Sequence, residues 1–565
     1  MLAATLRKWI YLEASERLAR LHGVRDFRGL APFARRWGSA SRAVTLSVAL
    51  FFIVALGGAL GGCGSLPARV ASVPSRALPP SLETPLGRIA KASTPSVEQS
   101  GVRLIPLGLY SLEARVQLAQ RAQHSLDLQY YVLENDPSGR LLLRQLRDAA
   151  LRGVRVRLLV DDLYTTHTDQ LLRQLAAHPT VEVRLFNPFC CARSRGVLGR
   201  YAASLFDFGR LNHRMHNKMF IADGVMALVG GRNIADEYFQ RSSAQNFVDM
   251  DAFVMGKVVG DMASIFDQYW NSEVVAPIEA VDGPVSDRQT APADFSRTID
   301  SLPQAALLDL PSVDVLGYGP LGEDLEAGRI GLIWGTARAF ADPPDKQLRE
   351  SAAEAFKTSV TNDVMMTIWR ASGDLVLTSP YLIPGDKGVQ SIDDLRKKGV
   401  KVTIVTNSLA ATDEPLVHFG YARYRTAMLK AGVDLYELSP TRAQRTKRLG
   451  LFGKSLGRLH AKTAIIDGKS IFIGSMNLDP RSANANTEFG MFIESPAVAK
   501  ELLRVINISK LQSAYRVRID PAGSALQWLT VDDDQEMILG VEPESTRWLR
   551  LQNFIFGQFV PEQLL

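Results

Sequence analysis

The chain contains one stretch written twice, and no other feature limits its possible folds as strongly. His216-Asn-Lys218-Met-Phe-Ile-Ala-Asp223 is followed by Gly230-Gly231-Arg232-Asn233, and His460-Ala-Lys462-Thr-Ala-Ile-Ile-Asp467 by Gly474-Ser475-Met476-Asn477. In both copies Lys lies two, Asp seven and Asn seventeen positions after His. A single His-x-Lys-x4-Asp arises by chance in roughly 3% of chains this long; a matched pair with the same Gly-x-x-Asn tail does not. His216, Lys218 and Phe220 alternate, as do His460, Lys462 and Ala464. That is the two-residue period of a strand, which predicts His and Lys on one face. Asp-Gly then turns the chain into a second apolar run, so each unit predicts a hairpin presenting His, Lys and Asn to one spot.

These side-chain types suit chemistry at phosphorus. Imidazole is a nucleophile and proton carrier near neutral pH. Lys218 and Lys462 supply positive charge, and Asn233 and Asn477 amide donors, for phosphoryl oxygens. Two imidazoles allow one to attack phosphorus and the other to protonate the leaving oxygen and then deprotonate the acceptor. No metal or cofactor is required by that scheme. The competing structural reading, two satisfied core histidines beside surface lysines, accounts poorly for a lysine at a core-strand position in both copies.

The paired motifs resemble those of the phospholipase D superfamily. The flanking text Leu185-Phe-Asn-Pro188, Arg210-Leu-Asn-His-Arg-Met-His-Asn-Lys218 and Val229-Gly-Gly-Arg-Asn-Ile-Ala-Asp-Glu-Tyr-Phe239 narrows the resemblance to its cardiolipin synthase C branch. It runs from about Leu104 to the C-terminus. It implies two similar α/β lobes, each a mostly parallel mixed sheet flanked by helices, with the active site in the cleft between them. It also implies that His216 and His460 serve as covalent nucleophile and general acid/base, in an order the motif leaves open. An acidic residue eleven positions after the second Asn orients an imidazole in this family, and Glu488 stands there. In the first half that position is Ala244, and Asp249 is the expected substitute after a longer loop. Asp223 and Asp467, the remaining motif members of the catalytic set, fit structural partnership at the hairpin turn better than proton transfer.

Composition restricts the partners. The 565 residues carry a formal charge of +6, but residues 1–62 hold nine Lys/Arg against three Asp/Glu, and the remainder is balanced at 56 of each. A neutral body argues against a general nucleic-acid surface. Three cysteines exclude a disulfide framework, and Cys190-Cys191 have no neighbouring ligand cluster. Arg35, Arg36 and Arg42 precede an apolar run from Ala43 to Leu60 that ends in Leu60-Gly-Gly-Cys63. This is a signal-peptide pattern whose ending resembles a bacterial lipobox, with Cys63 as the lipidated residue; the alternative is an N-terminal transmembrane helix. Either places the body in a bacterial cell envelope, tethered to membrane.

The predicted organisation is a leader (1–62), a Pro-rich tether (63–102), a first lobe (103–273), a connector (274–345), a second lobe (346–516) and a C-terminal extension (517–565). Strand–helix–strand alternation in both lobes predicts helical crossovers. The extension, with Trp528, Trp548 and Phe554-Ile-Phe-Gly-Gln-Phe559, is expected to cover a sheet edge, with a bilayer or partner contact as the minor alternative. Arg193, Arg195, Arg200, Arg210 and Arg214 precede the first motif, and Arg442, Arg445, Lys447, Arg448, Lys454 and Arg458 the second. Such basic loops predict a rim that meets anionic lipid. The leading expectation is a phosphatidyltransferase acting on phospholipids at a membrane surface, making cardiolipin with phosphatidylethanolamine as the donor that the resemblance implies. Hydrolysis to phosphatidic acid, a nuclease and a catalytically silent lipid-binding scaffold are the alternatives. An accessory protein stays open as a partner.

Overall fold

The computed structural model describes residues 73–189, 199–200, 207–285, 287–306, 310–346, 356–445, 455–523, 525–532, 535–562 and 565. The leader, Cys63, Cys190 and Cys191 lie outside them, as do Arg193, Arg195, Lys447, Arg448 and Lys454.

The segment expected as a free tether is, from residue 73, laid along the first lobe. Ala77 N donates to Asp267 at 2.9 Å, Arg157 reaches Ser75 O, and the Trp270 indole reaches Ser75 Oγ. Prolines lack N–H groups, and the neighbouring backbone polar groups of this segment are matched by side chains instead. Helix α1 (Pro85–Ser93) follows, capped by Thr84, with Pro85 in its first turn where no N–H is needed.

The first lobe then runs β1 (Ser100–Ile105), α2 (Gly108–Arg121), β2 (Ser125–Tyr130), α3 (Pro137–Leu151), β3 (Arg155–Asp161), α4 (Asp169–Ala176) and β4 (Val181–Phe186). Strands β2, β3 and β4 are parallel neighbours, because α3 and α4 return the chain to the same end each time. Asp136 caps α3 by accepting Gly139 N at 2.8 Å. The hairpin β5 (Met219–Ala222) and β6 (Met226–Gly230) adds antiparallel to β2; β7 (Gln245–Val248) follows, and β8 (Asp251–Gly256) joins β6 to β1. Helix α5 (Lys257–Trp270) closes the lobe, and β9 (Val275–Pro277) lies beside β4.

The connector supplies β10 (Ile333–Ala341), which pairs with β1 through residues 333–335. After it the first-lobe order recurs. The elements are α6 (Val360–Ile368), β11 (Asp374–Thr378), α7 (Gly385–Lys397), β12 (Lys401–Asn407), α8 (Pro415–Lys430), β13 (Asp434–Leu438), β14 (Leu456–Leu459), β15 (Thr463–Ile466), β16 (Ser470–Gly474), α9 (Pro480–Asn484), β17 (Phe489–Glu494) and α10 (Pro496–Ser513). Strand β10 pairs with β17 through residues 336–341, as β1 does with β8. One strand therefore belongs to both sheets, which merge into a single 18-stranded sheet. Within the 18-stranded sheet, the described parallel pairings join the three crossover strands of each lobe; antiparallel pairings outnumber them because the motif hairpins and closing strands return by short turns. One apolar cluster holds residues of both lobes, among them Met219, Val229, Ile471 and Met491.

The extension lengthens the second sheet with β18 (Ala514–Ile519), β19 (Leu526–Asp532) and β20 (Gln535–Leu539), covering the edge of β13. Trp528 is buried there, its N–H on Glu437 at 2.8 Å. Helix α11 (Arg547–Gly557) follows. Among the described residues no helix is long and apolar enough to cross a membrane.

Candidate active site

Both motif hairpins turn at Asp-Gly with two consecutive residues in the left-handed region: φ is 52° and 67° at Asp223 and Gly224, 54° and 62° at Asp467 and Gly468. Aspartate tolerates that region better than most side chains, and its carboxylate is used. Asp223, fully buried, accepts from the backbone N–H groups of Gln123, His124 and Ser125 at 2.8 to 3.1 Å. Asp467 does the same for Ser372 and Gly373, with part of its surface exposed. Each aspartate thus ties its hairpin to the start of the neighbouring parallel strand, at the end of the hairpin away from His.

The histidines do not lie within the strands, as the alternation predicted. β5 begins at Met219 and β15 at Thr463. Ahead of those points each segment pairs across the lobes. His216 N donates to Thr487 O and Thr487 N to Arg214 O, while His460 N donates to Val248 O. Strands β7 and β14 continue this cross-lobe pairing as a parallel pair. Backbone groups that would otherwise join their own sheet are satisfied by the opposite lobe, so the segments stay extended and His and Lys keep a common face.

The side chains repeat the exchange. His216 Nδ1 lies 3.0 Å from Glu488 Oε2 of the second lobe, and His460 Nδ1 2.7 Å from Asp249 Oδ2 of the first. His216 Nδ1 is also 3.0 Å from the Ser475 carbonyl. Lys218 Nζ folds back onto His216 O and Lys462 Nζ onto His460 O, each at 2.5 Å. Exposures of 8% and 5% leave neither imidazole sealed. Tyr131 stands edge-on to His216, and Tyr238 edge-on to His460 with Phe247 beside it.

Burial dominates the protonation states. It pulls His216 down to about 4 and His460 below its ordinary value, against the opposing pull of the carboxylates. Burial would raise Asp249, but the adjoining His460 and Lys462 outweigh it and hold the carboxyl at about 2. Glu488 is lowered by His216 and Lys218 in the same way, despite its burial. Lys462 is pushed down to about 8 and Lys218 well below its usual range by desolvation. The resting pairs are therefore neutral imidazole donating from Nδ1 to an ionised carboxylate, with the Nε2 lone pair free.

The motif tails explain the spacing. A Cβ on Gly231 would sit 2.2 Å from Asp249 Oδ1, so the shorter carboxylate of the first lobe lies against bare backbone. Ser475 holds the equivalent position in the second lobe, and its hydroxyl donates to Glu488 Oε2. The amides differ. Asn233 donates to Tyr238 OH and accepts from Val132 N, whereas Asn477 Oδ1 has no hydrogen-bond partner among the described residues.

Several supporting residues carry no local signal in the sequence. Arg232 is fully buried and donates to the carbonyls of Asp249, Ile105, Pro106 and Tyr238, fixing the loop that carries Asp249. Ser482 Oγ donates to Glu488 Oε1 at 2.7 Å. The buried Asp342–Lys346 pair receives Glu488 N on Asp342 Oδ2, and Lys346 caps the Ser482 and Asn486 carbonyls. An apolar cavity of about 460 Å³ abuts the segment after Asn477; Leu478, Asp479 and Pro480 form one wall, with Met365, Trp369, Leu382 and Ile383 elsewhere. Burial pushes Asp479, which caps α9, up to about 7. Among the described residues no group of three or more His, Cys, Asp or Glu is placed to hold a metal ion.

Of the eleven residues expected to form a basic rim, five lie outside the described residues, Arg445 is exposed and Arg458 half-buried, and four are turned to partners within the fold. Arg200 is buried with Asp162 and Asp169, Arg214 with Asp161, and Arg442 donates inward to Val531 O. Arg210 pairs with Asp207 and reaches Asn187. Buried carboxylates need such counter-ions, and that demand turns these arginines away from lipid.

The family description "Cardiolipin synthase, PLD-like domain" matches residues 116–270 and 364–508, one segment per motif. Cardiolipin synthase C of Escherichia coli K12 is 40% identical over 82% of this chain and 97% of its own length. A cardiolipin synthase of Geobacillus kaustophilus is 25% identical over 72% of this chain and 68% of its own. The crystal structure of a phosphatidylserine synthase from Haemophilus influenzae shares the fold, with a TM-score of 0.53 at 12% identity, over 85% of this chain and all of that one.

Proposed function

Because this chain belongs to the cardiolipin synthase family with phospholipase D-like domains, we propose that it is a phosphatidyltransferase working through a phosphohistidine. The observation that carries the reading is the exchange of carboxylates, which leaves two Nε2 lone pairs at one seam. One neutral imidazole attacks the phosphorus of a donor phospholipid. The P–O bond to the headgroup breaks, and the other imidazole, protonated at Nε2, gives its proton to the departing oxygen. That second ring then takes the proton of the acceptor hydroxyl, whose oxygen attacks phosphorus and breaks the P–N bond.

The arriving phosphodiester anion offsets the depressed basicity of the rings and lets one carry the proton. Lys218 and Lys462, held back on the two His carbonyls, and the amides of Asn233 and Asn477 stabilise the non-bridging oxygens. Asp249 and Glu488 hold each ring in the tautomer that aims Nε2 at phosphorus. Asp223 and Asp467 hold the hairpins, and no step passes through them.

The substrates are phospholipids. With phosphatidylglycerol as acceptor and phosphatidylethanolamine as donor the product is cardiolipin; with water it is phosphatidic acid. The apolar cavity beside Asn477 favours hydrocarbon over a polynucleotide. The leader ending in Cys63 would tether the enzyme to the membrane it works on. The test is mass spectrometry of His216→Ala and His460→Ala proteins incubated with phospholipid, together with lipid profiles of the producing cells. The variant that keeps the nucleophile accumulates a phosphatidyl adduct on the remaining histidine, and cardiolipin falls in both. No adduct in either variant, with unchanged cardiolipin, sinks the reading.

A further inference from the structure

Helix α11 is amphipathic the wrong way round for a helix in water. Its buried residues are Asn553 and Gly557. A Cβ on Gly557 would meet the Phe419 ring at 2.2 Å, so the small face is the one pressed onto α8. Polar contacts hold that seat: Arg423 donates to Gly557 O, Tyr424 OH to Glu562, and Thr546 Oγ1 accepts Leu549 N. The apolar side faces outward, with Trp548 64% exposed, Phe554 61%, Phe556 57% and Phe559 79%, and with Leu551 and Ile555 also exposed. At 150–250 Å² for a full aromatic side chain, this patch is on the order of 600 Å². Monomeric soluble proteins seldom leave so large an apolar surface uncovered.

We propose that the outward face of α11 and the following Phe559 is the enzyme's docking surface for a phospholipid bilayer, lying in the plane of the headgroups. The charge of the segment fits that occupant. From Thr546 to Pro561 the chain carries Arg547 and Arg550 and no acidic residue. Trp and Phe beside Arg, on a short helix, is the composition of an interfacial helix. Eleven residues span roughly 16 Å, too short to cross and long enough to lie flat. The neighbouring β19–β20 hairpin also exposes Val531, Met537 and Ile538, but the sequence that joins its two strands, residues 532–536, carries four acidic residues and no basic one. That charge sets the hairpin outside the face that meets anionic lipid. The proposal deepens the phosphatidyltransferase reading and rests on its substrate being a membrane lipid.

The experiment uses the full chain reconstituted into phosphatidylethanolamine–phosphatidylglycerol vesicles with brominated acyl chains. Bromine quenches indole fluorescence on contact, so wild type loses a share of its emission that Trp548→Phe does not. The triple variant Phe554→Ser/Phe556→Ser/Phe559→Ser loses at least about tenfold in kcat/KM on vesicle lipid, reckoned from the apolar area withdrawn. It keeps the wild-type rate on monomeric short-chain phospholipid. Equal quenching in wild type and Trp548→Phe, or full vesicle activity in the triple variant, overturns the proposal. So does efficient disulfide cross-linking of two Phe554→Cys chains in vesicles, which would assign the face to a second copy. Quenching needs no turnover, so an inactive wild type that is still quenched at Trp548 refutes only the transferase reading.

Discussion

The two carboxylate–imidazole pairs are alike in outline and unequal in support, so their neutral replacements should have unequal effects. In Asp249→Asn the His460 Nδ1 proton loses the acceptor 2.7 Å away, in a site where both side chains are buried. An amide there can present N–H to Nδ1, which moves the ring proton to Nε2 and removes the lone pair the chemistry needs. Breaking one side of a buried pair is worth about 3–5 kcal/mol, which is roughly 10²- to 10⁴-fold in kcat. Glu488→Gln is milder. His216 Nδ1 keeps the Ser475 carbonyl at 3.0 Å, and the new amide oxygen still accepts from Ser475 or Ser482. Losing one charge-assisted bond costs about 1.5–3 kcal/mol, or roughly 10- to 100-fold. The assay is kcat for phosphatidyl transfer in both variants, normalised to folded protein by thermal denaturation. Equal losses, or a larger loss in Glu488→Gln, would refute the idea that a backbone carbonyl guards the His216 tautomer.

Three further outcomes follow from the site. Gly231→Ala places a methyl 2.2 Å from Asp249 Oδ1 and should lower kcat about as far as Asp249→Asn; the double variant Gly231→Ser/Asp249→Glu, which copies the other lobe, should regain at least tenfold over the alanine. Asp223→Ala removes a fully buried carboxylate and orphans the N–H groups of Gln123, His124 and buried Ser125, and should cost roughly 2–4 kcal/mol in denaturant titration, against about 1–2 for the partly exposed Asp467→Ala; an Asp467→Ala enzyme that is fully folded yet inactive at 20 °C would show that the turn carries chemistry. His216, near 4 when folded and 6.5 in its ordinary state, binds its proton more readily in the unfolded chain. Its contribution is therefore present above pH 6.5 and is lost as the pH falls toward 4, by roughly 3 kcal/mol. His216→Asn should gain that much relative to wild type between pH 7 and pH 4, and a pH-independent difference would contradict a neutral buried ring.

What the sequence shows are local devices. Asp-Gly at 223–224 and 467–468 marks hairpins because few other pairs accept two left-handed residues. Alternation in residues 126–130 and 155–160 marks strands, and Asp136 before Pro-Ser-Gly marks a helix start. What it hides is held over distance. His216 meets a carboxylate 272 positions away and His460 one 211 away, and no window of pattern reaches that far. Buried Arg157, Arg184, Arg214 and Arg232 read as solvent-facing until their carboxylate and carbonyl partners come into place. The junction of the two sheets is hidden for the same reason, because β10, in what reads as a weakly periodic connector, is claimed by strands from both lobes.

The traded carboxylates also bear on how the protein is made. Emerging from the ribosome, the N-terminal half carries a complete first motif whose imidazole Nδ1 lacks both its acceptors, the Ser475 carbonyl and the Glu488 carboxylate, until the second half has been synthesised and folded back. On the proposed mechanism, an unfinished or truncated product would lack a correctly held nucleophile or acid in either half. Competence would then follow from completion of the fold itself, because each half holds the other's imidazole.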